Sequence, residues 1–322
     1  MVILNVPIDT DMGLTAKLLR IRETQQHEKI QGIPIDIYAK SMTRVERALK
    51  ELIKHTNNIP EKSDSLNHPV KTYIQALTSF YDNIFRILKY SQDLGSKADN
   101  NNSIAWLRDN GSIANKKFFK NTRTQQILIS KIDNKLKHDI AEIVEFELVR
   151  TYIDKVTKIK STENIEGFYI NAAIGEKDLW GPDPDVHTYL DDITATAISY
   201  NFFIVNTCHS LIHWLRVLSS ILNNSDENLA ESVNSSLTNI LMIVSDIKEE
   251  FFIDEYKKAY VKISFVGEKY HIVYPYKFKQ KIKNRKFLED NLSAIIDVNP
   301  RTGLANQKIP YINIASKHLS II

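Results

Sequence analysis

A broad apolar face over residues 69–94 constrains this fold more than any other feature. Val70, Tyr73, Ile74, Leu77, Phe80, Tyr81, Ile84, Ile87 and Leu88 recur at spacings of three and four, the period of an α-helix. A face that wide is buried only against other elements. The segment therefore predicts a long helix inside a helical body. Glycine and proline, nine of each in 322 residues, both fall below the usual ~7% and ~5%. Long helices and few tight turns follow.

The rest of the chain continues the theme. Residues 11–31 carry Leu14, Leu18, Ile21 and Gln25 at helical spacing before Gly32 and Pro34. Residues 36–56 carry Ile37, Met42, Val45, Leu49, Leu52 and Ile53. Helix broken around Gly111 is expected over 104–120, and a helix over 123–144. Phe146 to Val156 reads as a helix extension or a strand, and Phe168-Tyr-Ile170 as a strand. Two very apolar helices are expected at about 188–222 and 227–257. The period then changes: Val261, Ile263 and Phe265, then Tyr270, Ile272 and Tyr274, alternate around Gly267, a β-hairpin pattern. The expected architecture is mainly α, a helical body over 1–258 with a small β-rich C-terminal module over 259–322, α+β overall.

Composition excludes several classes. The net charge of +3 is small, so any basic surface has to come from local clustering. One cysteine, Cys208, rules out an intrachain disulfide and points to a cytoplasmic protein. Between Val205 and Leu211 it is expected as a core filler. The N-terminus lacks the basic and apolar regions of a signal peptide, and no window holds the ~18 apolar residues of a membrane span.

The segment that carries chemistry is Asp133-Asn134-Lys135-Leu136-Lys137-His138. On the expected helix, Ile129, Ile132, Leu136, Ile140 and Ile143 form one apolar stripe, and Asn134 and His138 point to nearly the opposite side. Lys131 and Lys135 flank them. A histidine titrates near neutral pH and serves as general acid or base. A cation offsets charge developing on a phosphate.

This string resembles the Arg-Asn-x-x-x-His signature of the HEPN superfamily. The resemblance covers a short motif in a helical setting, about residues 66–222. It implies a helical bundle, commonly dimeric, and activity around RNA in bacterial defence or toxin–antitoxin systems. The family's asparagine maps to Asn134 and its histidine to His138. Its arginine maps to Asp133, a departure. The implied function is a metal-independent endoribonuclease: His138 as acid/base, Asn134 as orienter, Lys135 or Lys131 as the cation. The alternative is a non-catalytic interaction protein that kept the bundle. RNA, a second copy or a partner protein are the expected partners. No cofactor and no membrane are expected.

Other constellations are weaker. Arg22 and His27 also fit Arg-x4-His, but an exposed charged helix face explains them better. His209 and His213 are spaced for zinc but lack the glutamate of His-Glu-x-x-His, and packed core histidines are favoured. Asp183, Asp185 and His187 are read mainly as a turn feeding the next helix. Lys277, Lys279, Lys281, Lys283 and Arg285 place a cation at every second residue. On a strand they would line one face and track a phosphate backbone, or guard a sheet edge. There is no Gly-rich phosphate loop and no metal-binding Cys pair.

Overall fold

The computed structural model describes residues 2–5, 18, 34–56, 68–92, 103–137, 141–172, 198–222, 235–253, 255–257, 260–266, 269–276 and 279–294. The elements run β1 (Val2–Asn5), α1 (Pro34–Thr56), α2 (Pro69–Gln92), α3 (Ile104–Asn110), α4 (Ile113–Lys137), β2 (Ala141–Asp154), β3 (Lys160–Ala172), β4 (Ile198–Ser199), α5 (Tyr200–Leu222) and α6 (Ser235–Ser245). A 3-10 turn (Glu255–Lys257), β5 (Tyr260–Val266), β6 (Lys269–Tyr276), α7 (Lys279–Asn284) and β7 (Arg285–Ala294) follow. The fold is mainly helical with antiparallel sheets, α+β overall.

α2 forms where the apolar face predicts it and buries that face completely. It packs against α1 and α4, and α4 packs against α5. The joint of α2, α4 and α5 is aromatic: the Tyr81 ring lies 5.4 Å from Phe118 and 4.8 Å from Trp214. Cys208 is buried in this core. The break at Gly111 separates α3 from α4.

Four strands pair in the order β4-β3-β2-β7 and three in the order β1-β6-β5. The expected hairpin is β5–β6, closed at Val266 opposite Lys269. Gly167 of β3 sits where a Cβ would lie 2.7 Å from the Ile198 carbonyl and 2.8 Å from the Phe252 ring. Only glycine lets β4 and Phe252 approach this closely.

Four expectations change. The helix expected over 123–144 ends at Lys137, and Ile143 belongs to β2. From Ile143 to Ile153 the chain is rich in β-branched residues, and pairing on both sides, with β3 and β7, holds it extended. Secondly, β2 and β3 interrupt the helical setting that the resemblance implies over about 66–222, β3 covering the strand expected at Phe168-Tyr-Ile170. Thirdly, the apolar helices are shorter. Ser199 accepts the Phe202 N–H (3.3 Å) at the start of α5, as an N-cap does, and α6 ends at Ser245. Beyond it the Glu255 carboxylate accepts from the backbone N–H groups of Ser199 and Phe252, both at 2.8 Å, which fixes a turn where a helix was expected. Lastly, residues 279–284 are the helix α7, not a strand. Lysine and glutamine are good helix formers, and alternation of charge alone does not make a strand.

The expected boundary near 258 is crossed by β7, which pairs with β2 from Phe146↔Ala294 to Asp154↔Arg285. A fully buried ion pair lies in that seam. Arg150 Nε donates to Asp290 Oδ1 (2.9 Å), Nη2 donates to Oδ2 (3.1 Å), and Nη1 reaches the Phe251 carbonyl (3.3 Å). The 1–258 and 259–322 parts therefore share one sheet.

Candidate functional site

The end of α4 carries the sequence motif. Ile129, Ile132 and Leu136 are buried, and Asn134 is exposed, as helical phase requires. His138 and the side chains of Lys131 and Lys135 lie outside the described residues. Asp133 does not share the face of Asn134. It is 1% exposed and turned inward, with Oδ2 on the Lys137 ammonium at 2.5 Å. Its Oδ1 has no hydrogen-bond partner among the described residues. Asp82 on α2 feels its charge: burial pushes the Asp82 carboxyl up to about 6, with Lys137 and Arg86 pulling it down and Asp133 adding to the rise.

The basic run assembles in a different form. Lys283 and Lys286 are exposed, but Arg285 is half-buried, paired with Glu163 at 2.7 Å and stacked 4.2 Å over the Tyr152 ring. Arg285 is thus a structural cation rather than a free one. Lys279 belongs to α7, the Lys281 side chain is not described, and Lys277 lies outside the described residues. The sequence reading missed the other half of this surface. The β2–β3 turn brings Lys155, Lys158 and Lys160, all exposed, beside Lys283 and Lys286. Lys155 ties the two segments together: its backbone N–H donates to the Asn284 carbonyl (2.7 Å) and its ammonium to the Lys283 carbonyl (2.8 Å). The nearby Asp154 carboxylate accepts from the turn's own Val156 and Thr157 N–H groups, both at 2.8 Å.

A third constellation was not read from the sequence at all. His55 in the last turn of α1, His68 just before α2, Glu145 of β2 and Tyr200 at the start of α5 converge. His55 Nε2 lies 2.7 Å from Glu145 Oε1, and His68 Nε2 lies 3.3 Å from the same oxygen. The Tyr200 hydroxyl also donates to Glu145 Oε1. The imidazole rings meet edge-on, 5.1 Å between centroids. Burial works to raise the Glu145 carboxyl, yet the donors His55, His68 and Tyr200 hold it well below the usual carboxylate range. The bond to Glu145 raises His55 above its ordinary value against the opposing effect of burial. One strand pair away, burial together with Glu147 and Glu145 pushes Glu166 up to about 7.

This cluster and the lysine-rich end are separate sites. Glu145 and Lys155 are ten residues apart along one strand direction, about 33 Å at ~3.3 Å per residue. Among the described residues, the remaining candidates form no further site. The His213 ring donates Nε2–H to the Asn121 carbonyl (2.8 Å). Burial, with His213 and Arg216, drives His209 down to about 4, the behaviour of a packed, neutral ring. Arg22, His27, Asp183, Asp185 and His187 lie outside the described residues. No described helix is long and apolar enough to cross a membrane. No family model, curated protein or solved structure matches this chain.

Proposed function

We propose that this protein binds RNA through the lysine-rich end of its four-stranded sheet, in the HEPN-like setting that the motif implies. One observation carries the reading: exposed Lys155, Lys158, Lys160, Lys283 and Lys286 come from two distant segments and gather at one end. Lysines grouped this way neutralise backbone phosphates and release counterions, with a salt slope of about −0.7 per contact on single strands. Binding of a fluorescent single-stranded RNA across a salt series tests it. Wild type is expected to bind, and Lys158→Glu/Lys160→Glu/Lys286→Glu to bind more weakly, with a slope shallower by about 2. Unchanged affinity in the triple variant, or no binding by wild type, defeats the reading. Anionic vesicles serve as the comparison surface, because Val156 and Ile159 are exposed at the same tip.

Within this reading, cleavage belongs to the end of α4, with Asn134 as orienter, His138 as acid/base and Lys135 or Lys131 as the cation. His138→Ala then abolishes cleavage and leaves RNA binding intact. One observation favours a second, non-catalytic reading, a dimer or partner-binding scaffold. Asp133, at the family's arginine position, is buried and paired with Lys137, so it offers a phosphate neither charge nor access. Purified wild type that binds RNA without cutting it supports the scaffold.

A further inference from the structure

We propose that His55, His68 and Glu145 form a binding site for a transition-metal dication of the zinc class. The inference is independent of the RNA reading. One ring nitrogen each of His55 and His68 and a Glu145 oxygen all lie within 4.8 Å of one another, the one such group among the described residues. They come from the end of α1, the start of α2 and the middle of the sheet, so the fold rather than local sequence brings them together. A second observation points the same way. The His68 side chain is 2% exposed, and its Nε2, with no other contact of this kind among the described residues, meets Glu145 Oε1 only at 3.3 Å. A buried imidazole nitrogen held only loosely on a carboxylate that a second imidazole also contacts is an arrangement an ion tightens.

The distances suit a small ion. Zinc binds imidazole nitrogen at about 2.0–2.1 Å and carboxylate oxygen at about 2.0–2.2 Å, so neighbouring ligands in a tetrahedron lie about 3.3 Å apart. His68 to Glu145 already has that spacing. His55 to Glu145, at 2.7 Å, opens by about half an ångström to reach the spacing of a tetrahedron. Two imidazoles and one carboxylate select a first-row transition metal over calcium or magnesium, which take oxygen ligands. The Tyr200 hydroxyl donates to the same Glu145 oxygen and holds the carboxylate in place, the role of a hydrogen bond to a metal ligand. Three protein ligands leave a position open for water or substrate, the pattern of a catalytic rather than a structural zinc. Glu145, with a side chain 17% exposed, leaves that position a way in.

One contact opposes the ion. The Val70 N–H approaches His68 Nδ1 at 3.2 Å, which places the proton on Nε2. Metal on Nε2 requires the other tautomer. Loading therefore exchanges one capping hydrogen bond for three coordinate bonds, a change in the metal's favour.

The test uses the full chain, stripped with a chelator and then titrated with zinc alone. Competition against a chromophoric chelator, elemental analysis and a thermal melt are the readouts. Wild type is expected to retain a single zinc per chain and to melt higher when loaded. His68→Asn keeps a side-chain cap for α2, and Glu145→Gln keeps the shape of the carboxylate. Both should fold by circular dichroism, bind no stoichiometric zinc and show no zinc-dependent rise in melting temperature. Substoichiometric binding by wild type overturns the proposal, and so does equal binding by wild type and His68→Asn. Either result leaves a hydrogen-bonded cluster on Glu145.

Discussion

Asp82 and Asp133 set two carboxylates on facing helices, with Lys137 and Arg86 as the cations within reach. Burial is the first cause that lifts Asp82 to about 6, above the ~3.9 of an unfolded aspartate. Between those values the folded chain holds the proton and the unfolded chain does not. Stability therefore falls as pH rises from about 4 to 6, and the loss is complete above that window. A shift of about two units corresponds to roughly 2 kcal/mol once partial solvent screening is allowed for. Asp82→Asn should be more stable than wild type at pH 7.5 by that order, with the gap closing near pH 4. Urea unfolding at both pH values measures it, and parallel pH profiles for the two proteins would refute the assignment. The inward turn of Asp133 is a residue-scale fact that the sequence reading lacked. It sits one step from Ile132, at the edge of the apolar stripe, and only the position of α2 decides whether that edge is covered. Asn134, one step further round, was legible because it lies opposite the stripe.

Elements differed in how much they disclosed. α2 was plain because one period runs unbroken for its whole length. β2 was not, because Glu142-Ile-Val-Glu-Phe-Glu-Leu-Val149 satisfies a helical and an alternating pattern at once. Arg150 was the overlooked signal: on a strand it falls on the face of Val144, Phe146 and Leu148 and demands a buried partner. The two histidines of the Glu145 cluster had no pattern to betray them, since each stands alone at a helix end. The β2–β3 turn adds a further lesson. Lys158 has φ 61°, a left-handed conformation that costs a residue with a Cβ about 1–2 kcal/mol and glycine almost nothing. A lysine charge is thus held at the tip against a conformational preference. Lys158→Gly should raise stability by up to about 1 kcal/mol and weaken RNA binding, with a salt slope shallower by about 0.7. Unaltered RNA affinity, measured beside the melting temperature, would remove Lys158 from the interface.

At the scale of the molecule, the change of period near residue 258 reports a change of element type and nothing about where the new strands dock. β5 packs on α5 and α6, and β7 returns to β2. The ion pair in that seam joins residues 140 positions apart, Arg150 and Asp290, both 0% exposed. No local pattern encodes such a partnership. A chain ending at residue 258 would strip one edge of β2 and leave the Arg150 guanidinium buried without its carboxylate. Removing one partner of a buried pair costs about 3–5 kcal/mol, a large share of the ~5–15 kcal/mol that holds a domain together. The fragment 1–258 should therefore keep much of its helical circular dichroism yet unfold without a cooperative urea transition, and yield to protease within the 141–172 hairpin. The full chain under the same conditions should unfold cooperatively and resist cleavage there. A fragment that unfolds as sharply as the full chain would restore the boundary at 258 and make residues 259–322 a separate module.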